Sequence, residues 1–449
     1  MEIVTIETPS LGDRTYLAHD GTSALVVDPQ RDLDRLLAAA EDAGVTITHI
    51  AETHLHNDYV SGGLVLARLT GATYVHAAEE DLRFDHTPVS DGDRFDVGTL
   101  QVQVVHTPGH TPHHLSYVVR SDGEPPAVFT GGSLLHGTVG RTDLVSAEVT
   151  DELTRAQFRS ARRLADALPD DARIYPTHGF GSFCASASSD EESDGTLGTE
   201  RKVNLALAID DEDEFVARLV DGLTAYPRYY AHMSPMNQAG ATPIDLSPPV
   251  EVDPVELARR IHRGEWVVDL RARRAFAADH VAGTIGVELE DAFATYVGWL
   301  IPWGMPLTLL GDTIDQVGEA QRQLVRIGID RPSGSRTGAP SDWADDPDRR
   351  GYPVVTFGEV PRELDGVILD VRRPDERGDG HVEGSHHLPL DELLDRLDEL
   401  PDAELWVHCA SGFRAAIAAS LLDRAGRRVV LIDDDADAAA EAGLPIVTD

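Results

Sequence analysis

Short apolar runs bounded by turn residues alternate with polar stretches of helical spacing through the first 185 residues. A run of about four to eight apolar residues between turn signals reads as a buried strand, and apolar positions recurring about every three to four residues read as one helix face. On that reading Ala24 to Val27, Thr46 to Ala51 and Leu100 to His106 are strands, and Leu33 to Ala43 is a helix. The alternation predicts a layered α/β sandwich whose functional residues sit on loops beyond strand ends. Ser186 to Gly198, rich in Ser, Asp, Glu and Gly, reads as a mobile acidic loop, and helical spacing resumes over Leu205 to Leu223. Tyr226-Pro227-Arg228-Tyr229-Tyr230 closes a first domain expected over 1–245, after which Pro243, Pro248 and Pro249 mark a linker.

The remainder repeats itself. Val268-Asp269-Leu270-Arg271 matches Leu369-Asp370-Val371-Arg372, and His280-Val281-Ala282-Gly283 matches His381-Val382-Glu383-Gly384 at the same offset. Each unit has a buried strand ending in Asp-x-Arg followed by strand and helix alternation, as a small parallel α/β domain requires. The units are expected over 250–332 and 352–449, with Ser333 to Arg350, rich in Gly, Pro and Asp, as a linker between them.

Composition narrows the setting. The 449 residues carry 78 acidic against 38 basic groups, a formal charge of −40, and Lys202 is the single lysine. Repulsion argues against nucleic acid and anionic membranes as partners. An acidic load this even suits a cytosol filled with molar salt, where the Debye length shrinks to ~3 Å; a halophilic, archaeal source is expected. The acidic start Met1-Glu2-Ile3-Val4 lacks the features of a secretory signal, and no apolar run approaches the ~20 residues of a membrane span, so a soluble cytoplasmic protein is expected. The two cysteines, Cys184 and Cys409, are treated as separate thiols in such a compartment.

Candidate chemistry begins at His54-Leu55-His56-Asn57-Asp58, where two imidazoles follow a strand end, a pattern suited to zinc or iron. His110 in Thr107-Pro108-Gly109-His110-Thr111, the turn Thr130-Gly131-Gly132-Ser133, and His178 in Pro176-Thr177-His178-Gly179 follow in order. Together these resemble the metallo-β-lactamase fold superfamily, which implies an αββα sandwich. The resemblance implies metal ligands at His54, His56 and His110, with Asp58 and His178 at a second position. That second position lacks two groups, since Tyr59 stands where the family has His and Gly132 where it has Asp. One transition metal ion, iron or zinc, is therefore expected, and an aspartate restored at 132 is expected to complete a two-histidine, one-carboxylate set with His54 and His110.

A second constellation lies in the last unit. Leu405-Trp406-Val407-His408 runs as a strand into Cys409-Ala410-Ser411-Gly412-Phe413-Arg414, and a helix is expected from Ala415 to Arg424. A cysteine between a strand and a helix start meets free backbone amides that stabilise a thiolate or a bound anion. Arg414 would close the loop with a positive charge. The pattern resembles rhodanese domains, which implies two small rhodanese-type parallel α/β domains in the second half, with Cys409 and Arg414 catalytic and the loop residues Ala410, Ser411, Gly412 and Phe413 binding substrate. The first unit has Gly311 at the corresponding place and neither nucleophile nor arginine, so it is expected to be an inactive spacer or docking module. Cys184 has no activating neighbour in sequence and reads as a packed thiol.

This domain order resembles persulfide dioxygenase and rhodanese fusions. The resemblance implies sulfur transfer at Cys409 coupled to a first domain that oxidises or binds a persulfide. It also implies a substrate-supporting role for Arg141 in Gly140-Arg141-Thr142-Asp143. A small-molecule thiol persulfide, thiosulfate or sulfite is the expected partner, and self-association into a homo-oligomer is left open. Two alternatives stand beside this reading: a glyoxalase II-like thioester metallo-hydrolase, and a metal-free first domain serving as a scaffold.

Overall fold

The computed structural model describes residues 1–186 and 195–448. It divides into two compact units, one of Met1–Ile244 with Val325–Gly328, the other of Asp245–Leu324 with Ile329–Asp449.

In the first unit β1 (Glu2–Thr8), β2 (Asp13–His19), β3 (Ser23–Val27), β4 (Thr46–Ala51), β5 (Thr73–Ala77) and β6 (Thr87–Val89) form one sheet in chain order. The second sheet runs β11-β10-β9-β8-β7, from Arg173–Pro176, Ala127–Gly131, Leu115–Arg120, Leu100–His106 and Arg94–Val97. Successive side chains of a strand point to opposite faces, and the buried residues obey that period. Tyr16, Ala18, Leu25, Val27, Val102, Val104, Tyr117, Val119 and Phe129 meet in the layer between the sheets. Their neighbours Leu17, Ala24 and Val26 face outward onto α1 (Asp34–Asp42) and α2 (Gly63–Thr70). Val118 and Val128 likewise pack on Phe158, Ala161 and Leu164 of α3 (Thr150–Ala167). The result is the αββα sandwich expected from the sequence, with Thr46–Ala51 and Leu100–His106 matching to the residue.

The second unit holds two parallel sheets. One runs Ile285–Gly286, Trp266–Asp269, Leu307–Gly311, Gly334–Thr337; the other runs His386–His387, Val367–Asp370, Leu405–His408, Val429–Ile432, Val354–Val355. The first four positions correspond, so the sequence repeat is a repeat of topology.

Two expectations need correction. Ser333 to Arg350 is not a bare linker: Gly334–Thr337 is a strand of the first sheet, and Trp343 is buried against Val267 and Leu310. Its Gly, Pro and Asp content reflects tight turns around one large apolar anchor. Leu205 to Leu223 is two helices, Leu205–Ala208 and Glu212–Asp221, because the Asp211 side chain accepts from the Glu214 N–H and starts a new one. Most of the expected acidic loop, 187–194, lies outside the described residues. Among the described residues no helix is long and apolar enough to cross a membrane.

Candidate metal centre and thiol loop

Asp28, at the end of β3, organises the metal-site loops from a left-handed backbone (φ 52°). Its carboxylate accepts from the Thr53 amide and hydroxyl, both at 2.7 Å, and from the Thr177 hydroxyl. It thereby joins the loop after β4 to the loop after β11. A metal-ligating histidine normally gives its other ring nitrogen to an outer partner, and four buried imidazoles here do so. His54 Nδ1 lies 2.9 Å from Thr53 Oγ1, whose own proton goes to Asp28. His110 Nδ1 donates to the Arg141 carbonyl at 2.7 Å, and His178 Nδ1 donates to Asp13 at 2.8 Å with Asp58 at 3.1 Å. His56 is reversed: Nε2 faces Glu52 at 3.2 Å, Asp28 at 3.3 Å and the Tyr59 hydroxyl at 3.0 Å. The inner nitrogens converge, with His54 Nε2 3.3 Å from His178 Nε2. Among the described residues His56 Nδ1 and His110 Nε2 are buried with no hydrogen-bond partner. These unpartnered ring nitrogens, and the closeness of His54, His56 and His178, fit a bound transition ion.

Electrostatics sort the same groups. Burial, with the neighbouring imidazoles, holds His54 well below its ordinary range and His110 at about 3, so both are neutral ligands in waiting. For His56 burial is outweighed by Asp28 and Glu52, which push it up to about 9. Burial likewise yields at His178 to Asp58 and Asp13, which raise it well above its usual value. Of those two carboxyls, Asp13 is pushed up to about 8 by burial and the Asp58 charge, while His178 overcomes burial to hold Asp58 below the usual range.

Gly132 explains why the site has its present shape. A Cβ at 132 would lie 2.3 Å from His110 Cδ2, and one at 140 would lie 2.7 Å from His110 Nδ1. The His110 ring thus fills the space between two glycines, and an aspartate cannot simply be added at 132. Tyr59 stacks on His56 at 4.2 Å and caps its outer nitrogen. The guanidinium of Arg141 is buried on Asp143 and the carbonyls of Phe183 and Thr224. What Arg141 gives the site is its own carbonyl, to His110.

The thiol loop stands apart in chemistry. Cys409 is 1% exposed and follows the strand Leu405–His408; the Gly412 N–H donates to its Sγ at 3.2 Å, and the helix Phe413–Arg424 begins at once. Gly412 has φ 90°, and a Cβ there would strike Asp433, so glycine is required twice over. The Arg414 charge is not free above the loop: both its terminal nitrogens bond Glu376 at 2.6 Å. Phe413 packs against Tyr296 of the first repeat copy, with ring centroids 5.6 Å apart. Tyr296, Trp299 and Leu300 face Val371, Arg373, Leu390 and Arg414 across one small pocket.

Comparison with known proteins fixes the family. Residues 14–178 match the Metallo-beta-lactamase superfamily. Hydroxyacylglutathione hydrolase from Maricaulis maris (strain MCS10) is 31% identical over 230 residues, covering 49% of this chain and 78% of that one. The chain belongs to the metallo-beta-lactamase superfamily. Residues 358–441 of this superfamily member match the Rhodanese-like domain, which places that domain on the second repeat copy. A solved metallo-beta-lactamase from Staphylococcus aureus subsp. aureus COL is 28% identical, with TM-score 0.67 over 75% of this chain and 99% of that one. ETHE1 from Myxococcus xanthus is 27% identical, with TM-score 0.45 over 53% of this chain and 99% of that one. For three further hydroxyacylglutathione hydrolases the chain spans 64% of their length.

Within the superfamily domain the structure groups His54 and His56 with His178, and His110 with His178 and Cys184, where His54, His56 and His110 were expected as one set; Asp58, expected as a ligand at a second position, lies on the outer nitrogen of His178. Besides Asp28 and Glu52 it adds three residues that sequence reasoning missed. Asp13 supports His178 from β2. His114 stacks on His54 and accepts from the Gly132 N–H at 3.0 Å; the second histidine after Thr111-Pro112 was its signal. Cys184 has a potential ligand atom within 4.8 Å of those of His110 and His178, and a packed thiol was expected there.

Proposed function

We propose that this protein is an intracellular sulfur-transfer enzyme of a halophile, organised as a metal-binding superfamily domain (1–245), a nucleophile-free rhodanese-like copy (250–332) and an active copy (352–449). The observation that carries this is Cys409 on a strand-to-helix turn, with the Gly412 N–H donating to its sulfur. The Cys409 thiolate attacks the sulfane sulfur of a thiol persulfide or thiosulfate. The S–S bond breaks, thiolate or sulfite leaves with the bonding pair, and Cys409 carries the sulfur as a persulfide. An acceptor such as sulfite, cyanide or a thiol then attacks the outer sulfur and restores the Cys409 thiolate. Ala410, Ser411, Gly412 and Phe413 surround the transferred sulfur with backbone amides, and Tyr296 and Trp299 line a small pocket with Arg414.

In the first domain His54, His56, His110 and His178 would hold one ion, iron supplying oxygen chemistry or zinc Lewis acidity. Asp13, Asp58, Glu52 and Asp28 orient the rings and take up their protons. The 31% identical hydroxyacylglutathione hydrolase favours a second reading, hydrolysis of a thioester. Metal analysis combined with oxygen uptake on a thiol persulfide and with thioester cleavage separates the cases. Iron with uptake supports a persulfide-oxidising domain. Zinc with cleavage supports the hydrolase, and absence of metal leaves a scaffold.

A further inference from the structure

The imidazole cluster lacks something a buried divalent cation needs, an anionic ligand. Imidazoles bring no charge, and the carboxylates nearby face outer ring nitrogens: Asp13 and Asp58 lie on His178 Nδ1, Asp28 and Glu52 on His56 Nε2. Position 132, between His110 and its outer partner Arg141, is glycine. Desolvating a cation against neutral ligands alone is costly.

Among the described residues a thiol lies beside these imidazoles. Cys184 is fully buried, and one ligand atom from each of His110, His178 and Cys184 lies within 4.8 Å of the others. The backbone is built to hold it there. After His178 the chain turns through Gly179 (φ 112°) and Gly181 (φ 95°) and returns toward the centre. Gly140 and Ala185 form an antiparallel bridge, and the Arg141 N–H donates to the Cys184 carbonyl at 2.9 Å. The Arg141 carbonyl in turn accepts from His110 Nδ1 at 2.7 Å. A single peptide segment therefore fixes both the imidazole and the thiol. The Arg141 guanidinium locks that segment further by bonding the Phe183 carbonyl at 3.2 Å. His110 Nε2, buried and without a partner among the described residues, points to a ligand independently of the cysteine.

We propose that Cys184 is a ligand of the ion in the first domain, its thiolate supplying the charge that position 132 does not. On binding, the S–H bond breaks, the proton passes to solvent and a sulfur–metal bond forms, with no change of oxidation state. A nitrogen and thiolate set favours zinc or another borderline-soft ion over a set with a carboxylate.

This inference rests on the reading of the cluster as an ion site, and cobalt(II) separates the two. The full chain and its Cys409→Ser variant, stripped of metal and titrated with cobalt(II), are each expected to develop a near-ultraviolet sulfur-to-cobalt charge-transfer band saturating at one equivalent. The chain has two cysteines, so a band in Cys409→Ser can come only from Cys184. Cys184→Ser is expected to lose the band while keeping visible ligand-field absorption. Ligand-field absorption in Cys409→Ser with no charge-transfer band would overturn the thiolate ligand and leave the ion site standing. No cobalt spectrum at all would overturn both.

Discussion

The two copies of the repeat share a sheet order and a buried Asp-Arg clamp and differ in the turn beside it. In the first, Arg271 Nε bonds Asp269 at 3.0 and 3.1 Å, and its Nη2 bonds Asp269 at 2.6 Å and the Asp279 carbonyl at 2.9 Å. In the second, Arg372 bonds Asp370 at 3.0, 3.2 and 2.8 Å and the Gly380 carbonyl at 2.8 Å. Sheet register then pairs Asp269 with Leu310 and Asp370 with His408, so the next residues, Gly311 and Cys409, occupy one position. Around Gly311 the space is filled: a Cβ there would meet Gln316 Oε1 at 2.8 Å, and that oxygen already accepts from the Asp312 N–H. In the second copy the loop amide of Gly412 turns to sulfur instead. The clamp is common to both copies, and the thiol belongs to the turn of the second alone.

The comparison breaks most sharply at the nucleophile. Cys409→Ser is expected to lower sulfur transfer from an organic persulfide to sulfite by roughly a thousandfold or more, as removal of a nucleophile does. Adding Gly311→Cys in that background should restore nothing, because Gln316 fills the turn. Thiosulfate production measures both, and recovery in the double variant would show that the first copy retains a working loop.

The clamps should be equivalent in stability. Breaking a buried pair by removing one partner costs about 3–5 kcal/mol, so Arg271→Ala and Arg372→Ala are each expected to lose about that much in urea unfolding. A loss confined to one would mean that the shared geometry does not carry shared energy.

Acid separates the clamps. Burial favours the neutral form of both aspartates, and it prevails at Asp269, which is raised. At Asp370 burial is outweighed by Arg372 and His408, and the group falls to about 2; Arg377 adds a second guanidinium at 3.3 Å. A depressed carboxyl contributes stability that is present above its unfolded value of 3.8 and lost as pH falls toward 2. That loss is about 2.5 kcal/mol. Asp370→Asn should remove this component of the acid unfolding curve, and Asp269→Asn should leave it in place.

The smallest effect concerns the pocket. Glu376 neutralises Arg414, so Glu376→Gln is expected to lower KM for dianionic thiosulfate roughly a few-fold, the scale of a partly exposed pair, with kcat little changed. An unaltered KM would mean that the donor does not meet the Arg414 charge.

What could be read beforehand followed from local pattern. Short apolar runs between turn residues marked β3 and β4 in one sheet and β8 in the other. Histidines at strand ends marked His54, His56 and His110, and a thiol before a helix marked Cys409. What stayed hidden depends on contacts between distant segments. Cys184 and Asp13 reach the cluster only through the packing of loops far apart in sequence. Glu376 finds Arg414 across thirty-eight residues. Arg141 meets the cluster through its carbonyl, which accepts from His110, while its guanidinium donates to Asp143, Phe183 and Thr224. Trp343 was concealed by the glycine, proline and aspartate around it.

The central claim is that Cys409 carries the sulfur. Wild-type protein incubated with a thiol persulfide, cleared of donor, digested without reductant and examined by mass spectrometry should show the mass of one added sulfur atom on the peptide containing Cys409, removable by sulfite. Turnover with that peptide unmodified and the sulfur on Cys184 would contradict the account.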